Sequence, residues 1–321
     1  MSDGEQEGRW LDMSANESPH DINILTKNKL QGTSDVAISP SALQAFTSHL
    51  AAIETTYSSL VTDLGKLVNE EQPSRTRAEI QIDDLSYQQL LTYQQITEYV
   101  NWLASQHPDL VIVEEAGRSV EGRAIPVLII TSSNSQTNKS VIFIEAGVHA
   151  REWVSPLAAL KVASEVVSSP DLTRHLEWRI MPLVNPDGYL TSWTTERLWR
   201  KNRAVRDGVK CVGVDINRNF GYHWRNDSRP CSETYHGPEP FSEPETRAVR
   251  DAVLQVANRT QVFLSLHSYG QLIMYPWAHT STLRISNRRI LVKLARGMAR
   301  AISNHNPVRY VVGTPAEILC T

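Results

Sequence analysis

The sequence predicts an α/β domain with a mixed, mostly parallel central sheet flanked by helices. Two apolar, strand-like runs, 141–144 and 262–266, stand in a chain that otherwise alternates short apolar runs with amphipathic segments of helical length. That alternation is typical of α/β sheets. The chain has 321 residues, of which 41% are apolar and 21% charged, so one large globular domain and a small appendage fit the composition.

Charge and hydropathy narrow the classes of partner. The formal net charge of −3 favours neither nucleic acid nor an anionic membrane. No apolar run approaches the ~18 residues of a membrane span. The acidic N-terminus lacks the basic start and apolar core of a signal peptide, which taken alone predicts a cytosolic protein. Cys211 and Cys231 point the other way, because they suit a disulfide loop, although two buried free thiols remain the alternative.

The N-terminal part of the chain divides into four segments. Residues 1–35 are polar and aperiodic, which predicts a disordered or poorly packed segment. A helix is expected from the start signal at 39–41, because apolar residues then recur every three or four positions. Residues 57–61 have the composition of a short strand, and 70–77 that of an exposed linker.

Further along, the pattern predicts the elements of the sheet and its helices. Ser242 and Glu245 have the spacing of a capping box and predict the start of a helix that runs to about residue 258. The other expected helices and strands are helix 93–105, strands 111–115, 125–131 and 141–145, helix 156–168, strand 179–184, strand 262–266 and a basic helix at 288–303.

Three side chains have the chemistry of a zinc site. His149 and Glu152 follow the strand predicted at 141–145, and His267 follows the strand predicted at 262–266. Two imidazoles and one carboxylate, with the fourth position left to water, form a ligand set that catalytic zinc takes. Ligands of open α/β sheets bind at strand ends. A second His-x-x-Glu, His236 to Glu239, lies between turn residues and is interpreted as a loop.

Polar residues between the metal-binding segments are suited to binding a carboxylate. Arg200 lies in one cluster, and Asn217 and Arg218 lie in a second. A guanidinium presents a planar fork of donors to a carboxylate, and an arginine near a polarised carbonyl can stabilise an oxyanion. Each arginine alone is more often a solvated surface charge, and the set is what favours a substrate site.

Together these strings resemble the zinc metallocarboxypeptidases of the pancreatic carboxypeptidase A and B type, from about residue 36 to the C-terminus. The motifs that carry the resemblance are 147–153, 185–189, 199–203, 213–220, 235–237 and 267–269. The resemblance implies that one Zn²⁺ is bound by His149, Glu152 and His267, with Asp215 orienting His149. It further implies that Arg200 stabilises the oxyanion, Asn217 and Arg218 bind the terminal carboxylate, and Arg151 and Tyr269 line the subsites beyond.

The same resemblance implies the organisation of the chain and its partners. Residues 36–77 correspond to a partial α+β propeptide, and 78–321 correspond to the catalytic domain. A trypsin-like protease is expected to cut at Arg75 or Arg77, and Cys211 and Cys231 match the disulfide pair of the family. The substrates are then peptide and protein C-termini, and the location is extracellular.

The chain departs from the family pattern at its C-terminal end. Cys320 stands where the family has a tyrosine, and the segment in which the family carries a general-base glutamate lies beyond Thr321. General-base catalysis typically contributes about 10²–10⁴-fold in rate, so impaired hydrolysis is expected. The alternative prediction is an inactive zinc-binding protein that retains C-terminal peptides or inhibitors. A zinc deacylase of small amino-acid conjugates ranks third.

Overall fold

The computed structural model describes residues 21–29, 32–76, 90–133, 138–226 and 229–319. The chain divides into two units, Met1–Ser58 with Tyr269–Thr321, and Ser59–Ser268. The strands are β1 (Ile22–Asn28), β2 (Thr33–Ile38), β3 (Val111–Arg118), β4 (Ala124–Ile130), β5 (Ser140–Ala146), β6 (Leu176–Met181), β7 (Thr260–Leu266), β8 (Leu272–Met274) and β9 (Val311–Gly313). The α-helices are α1 (Pro40–Ala52), α2 (Leu64–Thr76), α3 (Tyr93–Gln106), α4 (Val154–Val167), α5 (Pro170–Arg174), α6 (Pro186–Thr194), α7 (Pro244–Leu254), α8 (Arg288–His305) and α9 (Pro315–Ile318). Within these ranges no helix has the length and apolarity needed to cross a membrane.

The larger unit contains a five-stranded sheet in the order β3-β4-β6-β5-β7. β6, β5 and β7 pair in parallel, whereas β4 is antiparallel to both of its neighbours. Four of the five strands therefore run in one direction, which confirms the mixed, mostly parallel sheet. One apolar cluster packs α3 and α4 on this sheet, and a second packs α7 with other strand residues.

The smaller unit contains two strand pairs. β1 and β2 are antiparallel, and β8 and β9 are parallel. α1 begins as predicted, because Ser39 caps it through its hydroxyl and Pro40 occupies the first turn. Its buried residues Phe46 and Leu50 pack with Ile22 of β1.

Strand β1 lies where the sequence predicted a poorly packed segment. β1 pairs with β2 along one edge, and Ile22 is buried in the small apolar cluster. The polar composition of residues 1–35 is dominated by residues 1–20, which lie outside the described residues. A composition taken over the whole segment therefore hid a short strand.

Two expectations near the predicted linker are wrong. Residues 57–61 form no strand, and α2 continues through most of the segment predicted to be an exposed linker. The backbone N–H of Lys66 donates to the carboxylate of Asp63, which is a helix-start signal. Lys66 then pairs with Glu70, and Glu71 forms an ion pair with Arg197 of the same unit at 2.9 Å. Of the two predicted cleavage sites, Arg75 falls within the last turn of this helix and Arg77 lies outside the described residues.

The capping box predicted for α7 does not form. Glu243 is the residue that precedes the helix, and no side chain caps it. The Glu245 carboxylate instead accepts hydrogen bonds from the backbone of Val120 and the amide of Asn202. A buried contact with two distant segments has taken the place of the local one.

Candidate metal centre

The sheet brings the two predicted metal-binding segments to one edge. β5 and β7 are neighbouring parallel strands, and Ala146 at the end of one pairs with Leu266 at the end of the other. His149 follows three residues after β5, and His267 follows directly after β7. The turn after β5 requires Gly147, which has φ +63° and a Cβ position only 2.6 Å from a Leu183 methyl carbon. The prediction that the two segments follow strand ends is confirmed, and those ends are neighbours in the sheet.

His149, Glu152 and His267 form a compact cluster of metal-ligand atoms. All of these atoms lie within 4.8 Å of one another, and among the described residues this is the one group of three that could hold a metal ion. The Nδ1 atoms of the two imidazoles are 3.2 Å apart. Glu152 approaches His149 Nδ1 with Oε1 at 2.7 Å and His267 Nδ1 with Oε2 at 2.9 Å.

This donor set fits zinc. Two ligand atoms at about 2.0–2.1 Å from a tetrahedral ion lie about 3.3 Å apart, close to the distance between the two Nδ1 atoms. Both imidazoles use Nδ1, and each turns Nε2 away from the cluster towards another group. With their hydrogens on Nε2, the two rings would direct their Nδ1 lone pairs to a common centre.

The Glu152 carboxylate is held in its ionised form. Burial acts to raise its pKa, but the His149 imidazole and hydrogen bonds from both histidines lower it well below the usual range. The backbone N–H of Ser268 donates to Oε2 as well, at 3.1 Å. Because metal ligands must be deprotonated, this carboxylate is ready to bind a cation.

Asp215 lies behind His149 and is fully buried. Its Oδ1 atom is 3.2 Å from His149 Nε2 and accepts the backbone N–H of Asn217 at 2.9 Å. Its Oδ2 atom accepts from Nε and Nη2 of Arg200, at 3.1 and 2.8 Å. Burial acts to raise the pKa of Asp215, but the charges of Arg200 and His149 bring it well below the ordinary value.

His267 has a different group behind it, which was not predicted from the sequence. Its Nε2 atom is 3.1 Å from the hydroxyl of Ser265, and that hydroxyl is 2.8 Å from Oε1 of Glu145. Glu145 is buried at the end of β5. An acidic residue inside the apolar run 141–146 was the signal available in the sequence, because buried carboxylates are rare without a partner.

The residues predicted to bind substrate lie in separate parts of the structure. Asn217 and Arg218 lie on a 3₁₀ turn that starts at Asp215, so they are tied to the group behind His149. Arg151 lies between the candidate ligands His149 and Glu152 in sequence. It donates to the Leu198 carbonyl at 3.2 Å and lies 3.4 Å from Glu233, a partner that was not predicted.

The remaining predicted residues have clear positions. Tyr269 belongs to the smaller unit, where its hydroxyl donates to Asp35 at 2.6 Å. Cys211 and Cys231 form a disulfide, which decides against the free thiols. The carbonyl of His236 accepts hydrogen bonds from Asn219 and Trp224 in a loop, in agreement with the interpretation of that His-x-x-Glu as structural.

Comparison with known proteins identifies two families along the chain. Residues 96–321 match the model described as zinc carboxypeptidase, and residues 13–71 match the model described as carboxypeptidase activation peptide. The second match begins before the boundary predicted at residue 36.

Curated relatives match over much of the chain. A carboxypeptidase B of Astacus astacus is 40% identical over 236 residues, which are 71% of this chain and 77% of the relative. A carboxypeptidase B of Helicoverpa zea is 38% identical over 73% of this chain, and the match covers 57% of the relative. A carboxypeptidase A5 of Macaca fascicularis is 33% identical over 89% of this chain and 67% of the relative.

Solved structures share the fold. The crystal structure of carboxypeptidase A from Helicoverpa armigera matches 98% of this chain and 80% of that chain, with a TM-score of 0.89 and 29% identity. Thrombin activatable fibrinolysis inhibitor matches 96% of this chain and 81% of that chain, with a TM-score of 0.84 and 29% identity. The chain belongs to the zinc carboxypeptidase family and includes a carboxypeptidase activation peptide.

Proposed function

We propose that this protein is a zinc-dependent carboxypeptidase that hydrolyses the C-terminal peptide bond of peptides and proteins. The observation that carries the proposal is the link through Asp215, which joins a zinc ligand, a cationic side chain and the Asn217–Arg218 turn. The zinc ion, when bound, supplies a Lewis acid and a nucleophilic water. His149, Glu152 and His267 would hold it.

The other residues have roles in binding and orienting the peptide. Asp215 engages Nε and Nη2 of Arg200, so Nη1 is the group available to the oxygen of the scissile carbonyl. Asn217 and Arg218 would bind the terminal carboxylate, which restricts cleavage to the last residue. Arg151 and Tyr269 would contact residues further along the peptide.

A second candidate function is peptide binding without turnover. Within the described residues, the carboxylates in hydrogen-bond contact with the two imidazoles are those of Glu152 and Asp215, and both are committed to other roles. A catalytic base must lie within hydrogen-bond reach of the water that it activates. Because neither of these two carboxylates is available as the base, the second candidate is a protein that binds zinc and C-terminal peptides and releases no product.

Two further statements belong to the proposal. Cleavage at Arg75 or Arg77 by a trypsin-like protease would separate the activation peptide, which the match over residues 13–71 supports in position. An extracellular location is supported by the Cys211–Cys231 disulfide, because such bonds persist in oxidising compartments.

The test compares peptides that differ only at the C-terminal group. The zinc-loaded chain is titrated with a blocked dipeptide that carries a free carboxylate and with its amide, and product release is measured in the same samples. We expect the free acid to bind about 10–100-fold more tightly, the usual effect of losing a charge-assisted hydrogen bond. Arg218→Ala should abolish this preference, whereas Arg250→Ala, which breaks a surface ion pair with Asp251, should keep it.

The outcomes separate the two functions. Preference for the free acid with product release supports the carboxypeptidase, and the same preference without release supports the binding protein. Equal affinity for the acid and the amide would contradict the assignment of Asn217 and Arg218 in both.

A further inference from the structure

We propose that Ser265 and Glu145 are positioning residues for His267. In this arrangement the Ser265 hydroxyl accepts the Nε2–H of His267 and donates its own hydrogen to Glu145, which leaves the lone pair of His267 Nδ1 directed at the metal ligands. The inference rests on the proposed zinc site and concerns how one of its ligands is kept in the right form.

The strand register places the three side chains in line. Glu145 of β5 and Ser265 of β7 are direct partners in the parallel ladder, so their side chains lie on the same face of the sheet. His267 follows Ser265 by two residues, the period at which side chains of an extended chain return to one face. The resulting distances are 2.8 Å from Ser265 Oγ to Glu145 Oε1 and 3.1 Å from Ser265 Oγ to His267 Nε2.

The single hydrogen of the Ser265 hydroxyl decides which of its two neighbours, His267 or Glu145, it donates to. A serine hydroxyl has one hydrogen to donate and two lone pairs. If Ser265 donated to His267 Nε2, a neutral ring would carry its hydrogen on Nδ1, where it would point at Glu152 Oε2, 2.9 Å away, and Nδ1 could not bind a metal. Donation to Glu145 gives the other tautomer, in which Nε2 carries the hydrogen.

Glu145 can accept the hydrogen bond from Ser265 whether its carboxyl group is ionised or protonated. Burial raises its pKa, opposed by the hydrogen bond from Ser265. An added proton would go to Oε2, which has no hydrogen-bond partner among the described residues, and Oε1 would still accept from Ser265. The direction of donation is therefore the same in both forms.

The buried position of Glu145 costs free energy of hydration, which favours a specific role for this residue. The residue is 4% exposed, and its neighbours in the strand, Ile144 and Ala146, are buried apolar residues. A buried carboxyl group without an ion pair loses hydration that one hydrogen bond does not replace. A role in fixing His267 gives this group a function that packing alone does not.

The experiment measures both zinc affinity and the tautomer of His267. Zinc affinity is determined by competition with a chromophoric chelator. The tautomer is read from long-range ¹H–¹⁵N NMR of the imidazole in the zinc-free chain, so that result does not depend on metal binding. The variants are Ser265→Ala, Ser265→Thr, Glu145→Leu and, as a matched control at the far end of β5, Ser140→Ala.

Glu152 Oε2 lies 2.9 Å from His267 Nδ1 and competes with Ser265 for the ring hydrogen, so we expect the share of rings with the hydrogen on Nε2 to be larger in the wild type than in Ser265→Ala. Ser265→Ala should weaken zinc by about 3–10-fold, less than the 10–100-fold typical of a buried partner of a metal ligand, because Ser265 is exposed enough for water to replace its hydroxyl in part. In Ser265→Ala the ring hydrogen of His267 should shift towards Nδ1. Ser265→Thr should restore both properties, Glu145→Leu should resemble Ser265→Ala, and Ser140→Ala should change neither.

A share of the Nε2–H tautomer that is the same in the wild type and in Ser265→Ala would overturn the inference. Failure of the wild type to bind zinc would instead count against the proposed function, and the tautomer in the zinc-free chain would still test the positioning role.

Discussion

His149 and His267 approach the same Glu152 carboxylate, but the groups behind them differ in burial and charge. His149 is almost fully buried and its Nε2 atom meets the ionised, buried carboxylate of Asp215 directly. The His267 side chain is 30% exposed and its Nε2 atom meets a neutral hydroxyl, with the carboxyl group of Glu145 one hydrogen bond further away.

The difference indicates that the two halves of the site have different tasks. Asp215 also bonds Arg200 and the backbone of Asn217, so the His149 half links metal binding to the proposed substrate-binding residues. Among the described residues, the hydrogen-bonded groups behind His267 are Ser265 of β7 and Glu145 of β5, both in the sheet. A change on the first side should therefore alter both metal and substrate affinity, and a change on the second side should alter metal affinity alone.

Removal of a ligand from either half should have the largest effect. His149→Ala and His267→Ala should each abolish stoichiometric zinc, because the two remaining protein ligands make a much weaker site. Zinc content is measured by atomic emission after dialysis against a weak chelator. The control is His236→Ala, from the second His-x-x-Glu, which should retain one zinc per chain. Loss of zinc in this control alone would mean that the wrong pair was chosen.

The support of the His149 half extends into a buried network with its own pH dependence. Asn202 bonds the backbone of Val214, next to Asp215, and its amide donates to the carboxylates of Glu243 and Glu245 at 2.7 and 3.1 Å. Burial raises the pKa of Glu245 to about 7, whereas in the unfolded chain it stays near 4.5. The folded protein therefore holds this proton more tightly than the unfolded chain does.

The sign of the effect follows from that difference. The contribution of Glu245 to stability is present in full below pH 4.5 and is lost as the pH rises through about 7. The difference between the two pKa values, 4.5 in the unfolded chain and about 7 in the folded protein, corresponds to at most about 3 kcal/mol of unfolding free energy. The melting temperature of Glu245→Gln minus that of the wild type should therefore increase as the pH rises from 5 to 8. The exposed Glu98→Gln should show no such trend, and a Glu245→Gln difference that is constant with pH would contradict the expectation.

The sequence predicted this cluster of candidate ligands because strand ends and ligand chemistry are both local features. His149, Glu152 and His267 each follow an apolar run, and parallel strands bring their ends to one edge. The register between β5 and β7 is not local, so the pairing of Glu145 with Ser265 could not be predicted. The contact between Arg151 and Glu233 could not be predicted for the same reason, because the two residues are 82 positions apart in the sequence.

Local signals also failed where a distant contact competed with them. Glu245 has the spacing of a capping residue but binds Val120 and Asn202, because a buried carboxylate is better satisfied by two distant donors than by one local donor. In the opposite direction, a polar composition concealed both β1 and the continuation of α2. Short elements of this kind depend on pairing and ion pairs, which average composition does not report.

The most direct test of the unequal support is a side-by-side measurement of zinc affinity in Asp215→Ala and Ser265→Ala, by chelator competition in one buffer. Asp215→Ala should weaken zinc by about 10–100-fold and also reduce the affinity for a C-terminal dipeptide. Ser265→Ala should weaken zinc by a smaller factor, with peptide affinity unchanged once zinc is saturating. Equal losses of zinc in the two variants, or a larger loss in Ser265→Ala, would contradict the account.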